Sequence, residues 1–169
     1  ILSGAAGTLP RRPAVGKLWA AAVFFEDGSG AQMATTGSLV TALDWLAGAG
    51  RVRVINMSLQ GPANHVLEAA VDGVAARGLA VVAAVGNNGP AGAPLYPAAY
   101  ETVVGVTAID SARRIYRYAN RGRHVRFAAP GVEIRVAAGT GGFRTETGTS
   151  MAAPYAAALL AAAAATEHG

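Results

Sequence analysis

Three short stretches of this chain hold residue types suited to acyl chemistry. The first is Gly148-Thr149-Ser150-Met151-Ala152-Ala153-Pro154. An Ala-rich apolar run from Met151 to Ala165 follows it and reads as a helix buried on all sides. A Ser at the start of such a helix lies where unpaired backbone N–H groups converge and the helix dipole is positive, a place that suits a developing oxyanion. The plainer use of Thr149 or Ser150 is as an N-cap. The second stretch is Gly86-Asn87, a neutral side-chain amide beside a glycine, which by itself would be an ordinary turn. The third is Ser58-Leu59-Gln60-Gly61, a polar strand end with an extended backbone. Together they offer a hydroxyl nucleophile, a neutral hydrogen-bond donor and an exposed, extended backbone edge.

The elements that must position these residues can be read from periodicity. Lys17–Phe25 (KLWAAAVFF) reads as a strand buried on both faces, and 26–30 as a turn. Leu39, Ala42, Leu43 and Leu46 follow helical spacing, ended by Gly48 and Gly50. Val52–Ser58 is the next strand, and 64–77 a helix with Asn64 as cap and Val66, Leu67, Ala70, Val71 and Val74 as its apolar set. Leu79–Val85 (LAVVAAV) is a continuous apolar strand closed by Gly86-Asn87-Asn88-Gly89. Thr102–Ile109, Val125–Ala129 and Glu133–Ala138 are further strands, and 139–142 reads as a flexible connector. Residues 1–16 look like a helix end running into a loop. Alternating strands and helices at these spacings mean βαβ units: an α/β fold with three layers, a mostly parallel, doubly wound sheet and helices on both faces. In such sheets functional groups gather at the carboxyl ends of the strands.

Composition bounds the classes. A chain of 169 residues, 52% apolar and 14% charged, is read as one domain over 1–169 with a real core. The absence of Cys excludes disulfides, thiolate catalysis and Cys-based metal sites. The net charge is +4, with Lys17 the only Lys. Six Arg fall between Arg113 and Arg126, interleaved with Tyr116 and Tyr118. No nucleic-acid motif accompanies them, so they are read as a solvated surface loop and no nucleic-acid partner is assigned. The run 151–165 is short for a bilayer and contains Pro154, so it is read as core, not membrane. A Rossmann-type reading fails because Gly28-Ser29-Gly30 is followed by Met33 where a third Gly belongs.

GTSMAAP at 148–154 resembles the nucleophile motif of the subtilisin-like serine peptidases, the subtilases. VINMSLQGP, VVAAVGNNG, Tyr96-Pro97, TVVGVTAID and FAAPGV continue the resemblance in family order, from about Leu18 to the last helix. The resemblance implies a serine endopeptidase working through an acyl-enzyme at Ser150. It implies an oxyanion hole from the Asn87 side chain and the Ser150 N–H. Ser58, Leu59 and Gln60 would bind substrate backbone as an added strand, and Ala84, Val85 and Gly86 would line the pocket for the residue before the scissile bond. A peptide or protein substrate, an extracytoplasmic or secreted location and no required cofactor follow by the same analogy. Structural Ca²⁺ occurs in the family, although no dense carboxylate loop marks a site here.

A hydroxyl nucleophile needs a base and an orienting carboxylate, which subtilases order Asp, His, Ser. Their Asp-Thr/Ser-Gly and His-Gly-Thr stretches are absent from this sequence. His65, His124 and His168 read as surface or terminal residues, and Asp27, Asp44, Asp72 and Asp110 lack the motif's neighbours. The expectation is therefore a sheet missing its N-terminal strands, with the upstream part of the same catalytic domain as partner and no activity of this chain alone. The alternative is a pseudo-peptidase or peptide-binding module. An α/β-hydrolase elbow is rejected, since no Asp follows Ser150. Gln60 and Tyr155 stand where the family commonly has Gly and His.

Overall fold

The computed structural model describes residues 17–139 and 141–166, Thr166 by its backbone alone. The expected helix end over 1–16 and His168 lie outside those residues. The chain runs through a hairpin of β1 (Phe25–Glu26) and β2 (Gln32–Met33), then α1 (Thr36–Gly48), β3 (Val54–Met57), α2 (His65–Ala76), β4 (Ala80–Ala84), β5 (Val103–Ile109) and β6 (Val125–Pro130). A second hairpin, β7 (Ile134–Ala137) and β8 (Phe143–Glu146), leads into α3 (Thr149–Thr166). Strands β3, β4, β5 and β6 form one parallel sheet in that order.

The side-chain alternation of β4 builds the layers. Val81, Ala83 and Val85 point into a core with Leu39 and Leu43 of α1 and Leu67, Val71 and Val74 of α2. Val82 and Ala84 point the other way, onto Ala152, Ala153, Ala156 and Ala157 of α3. A strand covered on both faces must be apolar throughout, which is why LAVVAAV shows no alternation. Each fully buried Val is worth about 1.5–3 kcal/mol relative to exposure. The caps are local: Thr35 Oγ1 accepts from the Ser38 N–H, and Asn64 Oδ1 accepts from the N–H groups of Val66 and Leu67, as the sequence suggested for Asn64.

Several elements differ from the sequence reading. Lys17–Phe25 is not a strand: only Phe25 lies in one, and Leu18, Phe24 and Phe25 are about half exposed. An apolar run becomes a strand only beside a partner edge, and this one shares with β3 the walls of a cavity of about 530 Å³. Glu133–Ala138 does not join the main sheet. It supplies β7, which pairs antiparallel with β8, and Gly139, Gly141 and Gly142 of the expected flexible connector belong to the turn between them. There Ala138 N–H bonds Gly142 O at 3.1 Å, and Gly141 and Gly142 take positive φ of 92° and 77°. Helix α3 is buried over its first half only: Leu159, Ala163 and Ala165 are exposed. Val66, placed in the apolar set of α2, is 63% exposed.

Candidate active site

Strand ends converge on the first turn of α3. Past β4, Val85 N–H still bonds Val106 O at 3.1 Å, and the chain then leaves the sheet at Gly86, whose φ is +103°. That left-handed backbone requires glycine. The Gly86 N–H bonds Thr149 Oγ1 at 3.2 Å. In return, Asn87 Oδ1 accepts the Thr149 N–H at 3.0 Å and the Thr149 hydroxyl at 3.1 Å. From the other side of the sheet, Gly148 N–H bonds Gly131 O at 2.8 Å, and Gly131 N–H bonds Ile109 O at 3.0 Å. A Cβ at Gly131 would stand 2.6 Å from Ala108 Cβ and 2.8 Å from Gly148 O, so the turn can approach only because that position is bare.

These contacts aim the Asn87 amide. With Oδ1 taken by Thr149, the NH₂ end is left to face a ligand. A Cβ added at Gly148 would lie 3.3 Å from Asn87 Nδ2, which places that nitrogen over the turn carrying Ser150. Asn87 is exposed, Ser150 half-buried and Thr149 fully buried. The combination is a hydroxyl at a helix start, a neutral amide donor beside it and a buried residue locking the two together.

Ser58 completes the group. Its hydroxyl donates to Ser150 O at 3.1 Å and accepts from Asn56 Nδ2 at 3.0 Å. The cause lies in the sequence: Ser150 O would normally accept the N–H of residue 154, but Pro154 has none. The structure thus brings together Ser58, Asn87 and Ser150. Leu59 and Gln60 follow Ser58 along the end of β3, beside the end of β4. For the other wall the sequence reading needs refinement. Ala84 and Val85 are 3% and 0% exposed, with side chains in the two cores, so only their backbone and Gly86 can face a groove.

Two residues escaped sequence reasoning. Asn120, fully buried, accepts the Asn88 N–H at 2.7 Å, donates to Ala93 O at 2.8 Å, and gives its own N–H to Gly86 O at 3.0 Å. It holds the loop that leaves β4. Its setting in an Arg-rich run looked like surface, and the six Arg around it are indeed exposed. His124 was expected at the surface and is instead half-buried, with Nε2 enclosed and without a hydrogen-bond partner among the described residues. Burial pushes its pKa below the ordinary 6.5. His65 stands on the surface 3.4 Å from Glu68. Among the described residues no His hydrogen-bonds Ser150, and no three His, Asp or Glu side chains gather as a metal site. No described helix is long and apolar enough to cross a membrane.

Comparison with known proteins bears on the sequence and the fold. The model of the subtilase family matches residues 2–168. Subtilisin DY of Bacillus licheniformis is 36% identical over 164 residues, covering 95% of this chain and 58% of that protein. The minor extracellular protease Epr of Bacillus subtilis (strain 168) is 34% identical over 146 residues, 86% of this chain and 22% of that protein. Among solved structures, a cold adapted subtilisin-like serine proteinase superposes with a TM-score of 0.74 at 33% identity, covering 83% of this chain and 50% of the other. The chain thus spans little more than half the length of these relatives, or less. By its sequence and its subtilisin-like fold, the chain belongs to the subtilase family of serine peptidases.

Proposed function

We propose that this chain supplies the nucleophile, the oxyanion donor and the substrate groove of a serine endopeptidase. The observation that carries the reading is the double hydrogen bond from Thr149 to Asn87 Oδ1, which leaves the Asn87 NH₂ beside the Ser150 turn. Ser150 Oγ would attack the peptide carbonyl, and the oxyanion would be shared by the Ser150 N–H and Asn87 Nδ2. A neutral Asn stabilises that charge without disturbing a neighbouring base. The substrate backbone would lie along Ser58–Gln60. Acylation would break the peptide bond, release the new amine and leave the acyl group on Ser150 for water to remove.

The base and the carboxylate that orients it would come from polypeptide beyond the described residues. Two features support this. β3 pairs on one side only among the described residues, and the cavity beside it is lined by apolar residues of 17–24, α1 and α3. Near it, Trp19 Nε1 and Asn56 Oδ1 are enclosed without partners. A further strand seated there would cover the apolar lining and offer backbone groups to both atoms. An extracytoplasmic site of action is proposed from the relatives, one of which is named as extracellular. That no His bonds Ser150 among the described residues also favours a second reading, a groove that binds peptides without cutting them. Peptide-ester hydrolysis by this chain is the test. No turnover is expected from the chain alone, whereas hydrolysis abolished by Ser150→Ala would place the base within it.

A further inference from the structure

Resting on that groove reading, we infer that the pocket facing Gly86 is closed to large side chains. The peptide it accepts carries glycine, alanine or serine at the residue whose carbonyl faces Ser150. The two walls of the pocket start side by side, because β3 and β4 pair up to Met57 and Ala83. Beyond that point they are drawn together again. Gly61 N–H bonds Tyr96 O at 2.8 Å, and Tyr96 N–H bonds Gly61 O at 3.0 Å, an antiparallel bridge that shuts the far end.

Just before the bridge, two side chains fill the gap. A Cβ added at Gly86 would stand 2.5 Å from Leu95 Cδ1 and 2.9 Å from Gln60 Oε1. Not even a methyl group fits between Gly86 and these two ends. The Gly86 wall is fixed, since its N–H is held by Thr149 and its carbonyl by Asn120. The backbone beneath the Leu95 floor is held as well. Leu95 is half-buried, its carbonyl accepts the Ala99 N–H at 3.0 Å, and its loop is held by Asn120 through Ala93 and by the bridge at Tyr96. Gln60, by contrast, is exposed and can swing aside. Its departure opens room above Leu95 for a small side chain. An aromatic ring would also need the half-buried Leu95 side chain to turn away from Gly86, against its packing. Pockets filled to van der Waals contact resist such insertion, and even one methylene discriminates by roughly 10-fold or more.

The test is a nuclear magnetic resonance titration of the ¹⁵N-labelled chain with two acetylated tetrapeptide acids, Ala-Ala-Pro-Ala and Ala-Ala-Pro-Phe. The Gly61 and Gly86 amides serve as reporters. The Ala peptide is expected to bind at least about tenfold more tightly, and Leu95→Ala with Gln60→Gly to narrow or invert the ratio. Equal or tighter binding of the Phe peptide by the unaltered chain overturns the closed pocket and leaves the groove standing. If neither peptide moves the reporter amides, the groove reading falls and this inference with it. The comparison on the unaltered chain decides even if the variant fails to fold.

Discussion

Asn87 Oδ1 accepts both hydrogen-bond donors of Thr149, the backbone N–H at 3.0 Å and the hydroxyl at 3.1 Å. A side-chain amide has one accepting and one donating end, so using Oδ1 twice fixes which end faces outward. The orientation of the donor is set from behind, by a residue that would not itself touch the substrate.

In an active enzyme containing this chain, Asn87→Ala should lower kcat with KM little changed, because the lost bond strengthens only in the transition state. The size, about 10²–10³, is carried over from subtilisin, a relative of this chain. Steady-state kinetics on the folded variant check it. An unchanged kcat would remove Asn87 from the mechanism and leave it a turn residue.

Thr149→Val keeps the shape and deletes the hydroxyl. The buried Gly86 N–H then has no acceptor, and Asn87 Oδ1 keeps one donor of two. The orphaned N–H should cost roughly 1–3 kcal/mol of stability, read by urea denaturation. Thr149→Ser should restore most of it. A Val variant as stable as the parent would show that the hydroxyl has no structural part.

Much of this was legible in the sequence. α1 and α2 followed from helical spacing, and β3, β4 and β5 from short apolar runs, because each is covered by a core. Ser58, Asn87 and Ser150 could be grouped because all three leave strand ends or begin a helix on one side of the sheet. What escaped depends on partners the local pattern does not name. The run 17–24 is apolar enough for a strand, but it shares only the walls of a cavity with β3 and pairs with no strand among the described residues. The end of α3 is nearly all Ala and carries no signal of which face is covered. Asn120 works through tertiary bonds to Asn88 and Ala93, 32 and 27 residues away. One signal was present and unused: Pro154 stands four residues after Ser150 and so announces a carbonyl in need of another donor.

His124 predicts a pH dependence. Burial lowers its folded-state pKa below the 6.5 of the unfolded chain, so the unfolded state binds more protons in the window between the two values. Stability therefore rises with pH there. The contribution of neutral His124 is complete above about pH 6.5 and is lost as the pH falls through the lowered folded value. Asp27 and Asp110, whose pKa values hydrogen bonds to Ser29 and Arg114 lower from 3.8, respond only in stronger acid. Urea midpoints at pH 7.5 and pH 5.5 should differ for the parent and converge for His124→Gln. An equal difference in both proteins would assign the slope elsewhere.

The link from Ser58 to Ser150 gives the sharpest test, because a helix-interrupting proline made it necessary. Ser150 O lacks its helical donor since residue 154 is Pro, and the Ser58 hydroxyl supplies one at 3.1 Å. Ser58→Ala should therefore cost about 1 kcal/mol for this bond, in addition to what its bond from Asn56 contributes. Pro154→Ala restores a backbone N–H four residues on, and the helix can satisfy its own carbonyl. In that background the Ser58 hydroxyl is redundant at Ser150, and its removal should cost only what its bond from Asn56 contributes. The two substitutions must then be non-additive, with a coupling of about 0.5–1 kcal/mol in a double-mutant cycle, above the roughly 0.3–0.5 kcal/mol scatter of independent sites. The cycle removes whatever Pro154→Ala does alone to packing under α3. Additivity within that scatter would mean that water, not Ser58, serves the Ser150 carbonyl in solution. Ser58 would then keep only its place on the groove wall.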